Sequence, residues 1–412
     1  MSANAAYLTL PAPALRLLAA APHRLMFFIG ATNVLLAMAW WMLWLIDARW
    51  QVFGFGQPAV PAGWIHAIVM QYQVLPSFIF GFLLTVFPRW MNQPALARKH
   101  YLPVGIGLFG GQAMTLIGIG GGLAFLKLGA MLTIAGWLIG MAFLVRALCQ
   151  NEGRTWHATS CAFALNFGLL GLVLYAVFLQ RFDANVIFVS MKIGGLAVLL
   201  PIFFTVCHKM VPFFTGCIVP GYRVVRPMWA LAVFWALTFT HLWLELRHAY
   251  AWLWIADLPM AALAASLLWS WYPRNVRMPA LLRVLFMGFA WLPIAFALYA
   301  AQSLWFFATG EFMLGRGPAH ALFIGFFGSL LVAMVTRVTQ GHSGRPLVLG
   351  RVAAFAFIAV QLVALTRVAA ELAPDSLAWQ ALAAIGWVIA FAPWVARSSW
   401  IYLTPRADGK AE

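Results

Sequence analysis

Apolar runs of ~20 residues recur along the chain, and short stretches between them hold most of its charged residues and many of its glycines and prolines. The runs do not alternate apolar and polar residues, so the pattern predicts helices and not barrel strands. Lipid offers no partner to a backbone polar group, and a helix satisfies its own. Twelve helices are expected, over about 25–46, 64–88, 102–120, 122–145, 158–180, 185–207, 228–246, 250–272, 281–308, 317–338, 352–370 and 377–402. Breaks such as Gly120-Gly121-Gly122 and Trp271-Tyr272-Pro273 separate them. The expected organisation is a segment over 1–24, a transmembrane domain over 25–402 and a tail over 403–412. Residues 1–24 carry Arg16 and Arg24 but no small-residue cleavage site, and the first apolar run is a full span, so no cleavable signal is expected.

Composition supports a membrane solvent along the whole length. The chain is 64% hydrophobic and 9% charged, where a soluble domain carries about 25% charged residues. The net charge of +16 suggests no nucleic-acid partner once it is placed on the helices. Of the 26 Lys and Arg residues, 19 fall in the loops on the side of both termini and five on the other side, with Lys127 and Lys192 inside spans. That separation puts both termini in the cytoplasm. Cys149, Cys161, Cys207 and Cys217 show no CxxC or zinc spacing, and all fall near cytoplasmic loops where thiols stay reduced. Many of the 21 tryptophans lie near helix ends, as an interfacial belt does. Lys192 and Arg367 lie near span ends and are expected to snorkel.

The histidines sort by depth. His66 opens helix 2 and His320 opens helix 10, both at the outer side, and His241 is near the outer end of helix 7. His208 and His342 lie near the cytoplasmic side, His342 just past the end of helix 10. The 22 residues between His320 and His342 span ~33 Å at ~1.5 Å each, so those two cannot share a site. Histidine inside an apolar span is costly and calls for a partner. Two neutral imidazoles on facing helices can hold a low-spin haem in a bundle core. The plainer alternative is an interfacial histidine bonded to a carbonyl or headgroup. The segment Cys207-His208-Lys209-Met210 bunches ligands that suit copper, but neighbouring residues on a helix point to different faces. His241 is open as a metal ligand or a plain polar contact, and His342 as a metal ligand or a loop-organising residue.

Helices 2, 6 and 10 end alike, in TVFPRW at 85–90, HKMVPFFTG at 208–216 and TRVTQGHSG at 336–344. Their spacing suggests three repeats of a four-helix unit, the architecture of haem-copper oxidase main subunits, where helices 2 and 10 hold low-spin haem. This is an analogy of fold.

Four segments are similar to the NnrS family: His66-Ala67 with GFLLTVFP-x-W at 81–90, MVPFFT at 210–215, LL-x-x-L-x-x-GFAWLP at 281–293, and HAL-x-x-G at 320–325 with TRVTQGHSGRPL at 336–347. The family consists of polytopic bacterial membrane proteins that bind haem and copper and belong to the nitric oxide response. The resemblance implies the bacterial inner membrane, a haem b on His66 and His320, and nitric oxide or a redox protein as partner besides the lipid bilayer. The chain departs from the family at chemical positions. A pattern resembling HAHE in helix 2 is here His66-Ala67-Ile68-Val69, and Phe286 takes the place of a histidine in helix 9. Three candidate ligands are lost, so copper is doubtful.

Two other readings compete with a haem protein. One is a secondary transporter, which would need polar or acidic groups across the membrane; most of the ten Asp and Glu fall in loops or tails. The other is a cofactor-poor subunit of a larger membrane redox complex.

Overall fold

The computed structural model of the protein describes residues 13–151, 153 and 155–410. The expected loop position of Arg154, residues 1–12 of the first segment and residues 411–412 of the tail lie outside the described residues. The described residues form twelve long helices: α1 (Pro22–Trp50), α2 (Ala62–Trp90), α3 (Arg98–Gly121), α4 (Leu123–Cys149), α5 (Trp156–Arg181), α6 (Ala184–Ile218), α7 (Trp229–Leu246), α8 (Trp254–Trp271), α9 (Ala280–Thr309), α10 (Gly317–His342), α11 (Arg351–Ala369) and α12 (Ser376–Leu403). No strand occurs among the described residues. The chain is an all-α polytopic membrane protein. Eleven helices are long and apolar enough to span a bilayer; α8 falls outside that group, with three Trp, two Ser and Asp257 in 18 residues.

The helices fall where the apolar runs predict, with one sizeable difference. Helix α6 continues to Ile218, past the expected end near 207. The expected end rests on the polar cluster Cys207-His208-Lys209, but the helical hydrogen-bond ladder runs on past it. Pro212 sits inside the helix; a helical proline removes one bond and kinks without having to end the run.

Helices α2, α6 and α10 are the innermost. The protein buries 83%, 67% and 83% of their apolar windows, against 61% or less for the other spans. Contacts link three arcs, α11–α12–α1–α2, α3–α4–α5–α6 and α7–α8–α9–α10, each ending on an inner helix. Each inner helix also carries a π-helical stretch: Met70–Val74, Ile193–Leu199 and Ala321–Gly328. The threefold pattern suggested by the helix ends is thus present in packing and in backbone geometry.

Close approach depends on missing side chains. Between α3 and α4, a Cβ on Gly107 would lie 2.6 Å from the Gly136 Cα, and one on Gly118 would lie 2.7 Å from the Leu126 nitrogen. Small residues at a helix interface let backbones meet and gain dispersion contact that lipid cannot outcompete. Helix α2 is tied to this pair by Gln73, whose amide donates to the Thr115 and Thr133 hydroxyls, each at 3.0 Å.

Candidate functional site

The three π-helical stretches meet at the centre of the molecule. A Cβ on Gly194 would lie 2.5 Å from the Gln71 side chain, and one on Gly195 would lie 2.9 Å from the Phe323 ring. A π turn inserts one residue, and so rotates the two halves of its helix relative to each other. On each inner helix a basic or imidazole residue stands just ahead of it. His66 is four residues before Met70, Lys192 directly precedes Ile193, and His320 directly precedes Ala321. All three lie toward the face away from the Arg-rich loops, which we call the opposite face.

His66 and His320 lie within electrostatic reach of each other, and the charge of Arg367 reaches both. The His66 ring stacks on Trp41 at 4.5 Å and 11°, and Trp41 stacks on Trp44. His66 Nδ1 is buried and has no hydrogen-bond partner. His320 Nδ1 lies 2.9 Å from the Arg316 carbonyl. A carbonyl only accepts, so Nδ1 carries the hydrogen and Nε2 keeps its lone pair. The turn that carries His320 is held from α9, where Gln302 donates to the Gly315 carbonyl and accepts from the Leu314 amide. Arg367 is ion-paired with Glu371 at 2.6 Å; it is anchored where snorkelling was expected.

These residues fit a haem in donor chemistry. A ligating histidine typically gives its second N–H to a carbonyl, which is the state of His320. His66 offers an orphaned nitrogen beside the Trp41 ring. Arg367, whose charge reaches both imidazoles, and Arg316, whose charge reaches His320, are cations near the pair.

The other histidines are placed differently. His241 is buried between two carboxylates, with Nδ1 2.5 Å from Asp257 and Nε2 3.6 Å from Glu245. Glu245 also pairs with Lys192, so that lysine is ion-paired and does not snorkel freely. The result is a four-member chain across α6, α7 and α8 near the opposite face. Sequence reasoning missed Glu245 and Asp257, although the signal was there. His241 and Glu245 are one turn apart on one helix face, and the short α7–α8 connection brings Asp257 to the same depth.

His208 is fully engaged. Its Nε2 donates to the Pro227 carbonyl at 3.2 Å, and its Nδ1 accepts from His157 at 2.9 Å. Cys161 and Cys207 are buried free thiols. His342 is the last residue of α10 and not a loop residue; its ring lies 4.2 Å from that of His23, and Arg89 approaches it at 3.5 Å. As expected, His342 and His320 stand at opposite ends of α10.

Where the family pattern has other ligands, positions 68, 69 and 286 are buried apolar side chains. Ile68 and Val69 lie near the opposite face on α2, while Phe286 lies two turns from the basic end of α9. Among the described residues no group of three His, Cys, Asp or Glu is placed to hold a metal ion.

The sequence profile of a family described as NnrS protein matches residues 17–406. No curated protein matches the chain.

Proposed function

The chain belongs to the NnrS family, and from that premise we propose that it is a bacterial inner-membrane haem protein of the nitric oxide response, with His66 and His320 holding one b-type haem toward the periplasmic face. The observation that carries the reading is the pair itself. Two imidazoles from two inner helices stand at one depth, in reach of each other, one with its tautomer already set for ligation. An imidazole in an apolar setting is costly without a partner, and iron would supply one for the orphaned His66.

When bound, haem supplies a one-electron redox centre whose ferrous form has affinity for nitric oxide. The residues bind and orient. Trp41 covers one face of His66, Gln302 fixes the turn that carries His320, and Arg316 and Arg367 offer positive charge to carboxylates. With both His66 and His320 as its ligands, a haem here would suit electron transfer with a redox partner better than gas binding. With both chain ends cytoplasmic, the Arg-rich loops face the cytoplasm.

A second reading, proton-coupled transport, is favoured by one observation: the buried Lys192–Glu245–His241–Asp257 chain. Intramembrane ionisable groups commonly mark ion pathways. An absorption spectrum of the purified protein before and after dithionite separates the two. A reduced low-spin haem spectrum supports the first reading, and a protein purified without haem would leave transport as the better account.

A further inference from the structure

At the basic face, α2, α5, α6 and the α6–α7 loop enclose a cleft of about 330 Å³. Trp90 places it at the end of α2 opposite His66. Trp90, Trp156, His157, Lys209, Arg226 and Met228 line it. We propose that this cleft binds the phosphate headgroup of an anionic phospholipid from the leaflet on the basic face.

Among the described residues the charge is uncompensated. Lys209 and Arg226 act on each other electrostatically, and Arg226 also acts on His157. Among the described residues, neither cation has a carboxylate partner. Two like charges held together without a counterion favour an anion between them. Lys209 is held over the Trp90 ring at 4.7 Å, a cation–π contact that orients the ammonium without neutralising it. His157 cannot fold away, because it is bonded to His208, and His208 to Pro227.

The surroundings select a lipid as the source of the phosphate. The rim is apolar and exposed at Trp156 and Met228. Aromatic residues at this depth sit at the headgroup level, and an acyl chain leaving the cleft would meet them. A free phosphate needs the cations but gains nothing from that rim. Basic pockets between helices on the cytoplasmic side recognise anionic headgroups by this combination.

The test uses the full-length protein in neutral detergent, with lipid retention read by native mass spectrometry. Dihexanoyl phosphatidylglycerol, the matching phosphatidylcholine and inorganic phosphate are titrated separately. The expected result is one retained phosphatidylglycerol per chain, at least ~tenfold preferred over phosphatidylcholine and not displaced by phosphate at equal concentration. Lys209→Gln with Arg226→Gln should abolish the preference. Arg226→Glu, on an exposed loop, should do so without touching the helix core, which keeps the test decisive if the double variant fails to fold. Equal retention of both lipids, or unchanged retention in Arg226→Glu, would overturn the proposal. Displacement by inorganic phosphate at equal concentration would overturn the lipid as the source.

Discussion

His241 illustrates what a single buried residue commits its neighbours to. It is 1% exposed and Asp257 is fully buried, so neither reaches water. Each carboxylate is tolerable because a cation faces it. Removing one member of a buried ion pair leaves an uncompensated charge, which costs about 3–5 kcal/mol. Asp257→Ala should therefore lower unfolding stability by about that much, read by detergent or thermal denaturation. The paired replacement His241→Phe with Asp257→Leu should cost clearly less, because no charge is stranded. If the single and double variants lose the same stability, the chain is not a coupled unit. Residue identity alone did not reveal this chain. A count of acids places most of them in loops; Glu245 lies one turn from His241 on its own helix, and the packing of α8 against α7 brings Asp257 to the same histidine.

At the scale of the element, apolar runs and their breaks located all twelve helices, because bilayer thickness and backbone satisfaction leave a run of ~20 apolar residues few alternatives. What the runs could not reveal is the interior of the inner helices. A π stretch costs one extra residue in a long run, and hydropathy does not register that residue. The likeness of the ends of α2, α6 and α10 was the only sign of the shared geometry. Glycine-lined packing was likewise invisible, since Gly107 and Gly110 read alike on paper. Their surroundings differ: a Cβ at 107 would meet the Gly136 backbone at 2.6 Å, and one at 110 would meet only the Leu132 side chain at 3.5 Å. Gly107→Ala should thus destabilise the protein by about 1–3 kcal/mol through overpacking. Gly110→Ala should be neutral or slightly stabilising, as helix propensity favours alanine. Equal effects in the same unfolding assay would contradict the packing described for α3 and α4.

The described residues form three arcs of four helices around α2, α6 and α10. That His66 and His320 lie toward one face was legible in the sequence, because helix register and loop charge place both at one side. Their partners were not. Trp41, Gln302 and Arg367 come from three other helices, and only the tertiary packing brings them in. The orientation makes a direct prediction: reporters fused after Arg98 and after Arg351 should both read cytoplasmic, and a periplasmic signal from either would break the twelve-helix topology. The family positions at 68, 69 and 286 carry buried apolar side chains near different faces, so they offer copper no ligands. Elemental analysis should find less than one tightly bound copper per chain, and stoichiometric copper would redirect attention to Cys207 and its neighbours.

The central claim is that one haem is held between α2 and α10 by His66 and His320. The most direct measurement is the absorption spectrum of three alanine variants beside the wild type, each purified in the same detergent. His66→Ala and His320→Ala should each abolish the six-coordinate low-spin signature, while His342→Ala, at the other end of α10, should keep it. A wild-type spectrum in both His66→Ala and His320→Ala, or no haem in the wild-type protein, would contradict the account.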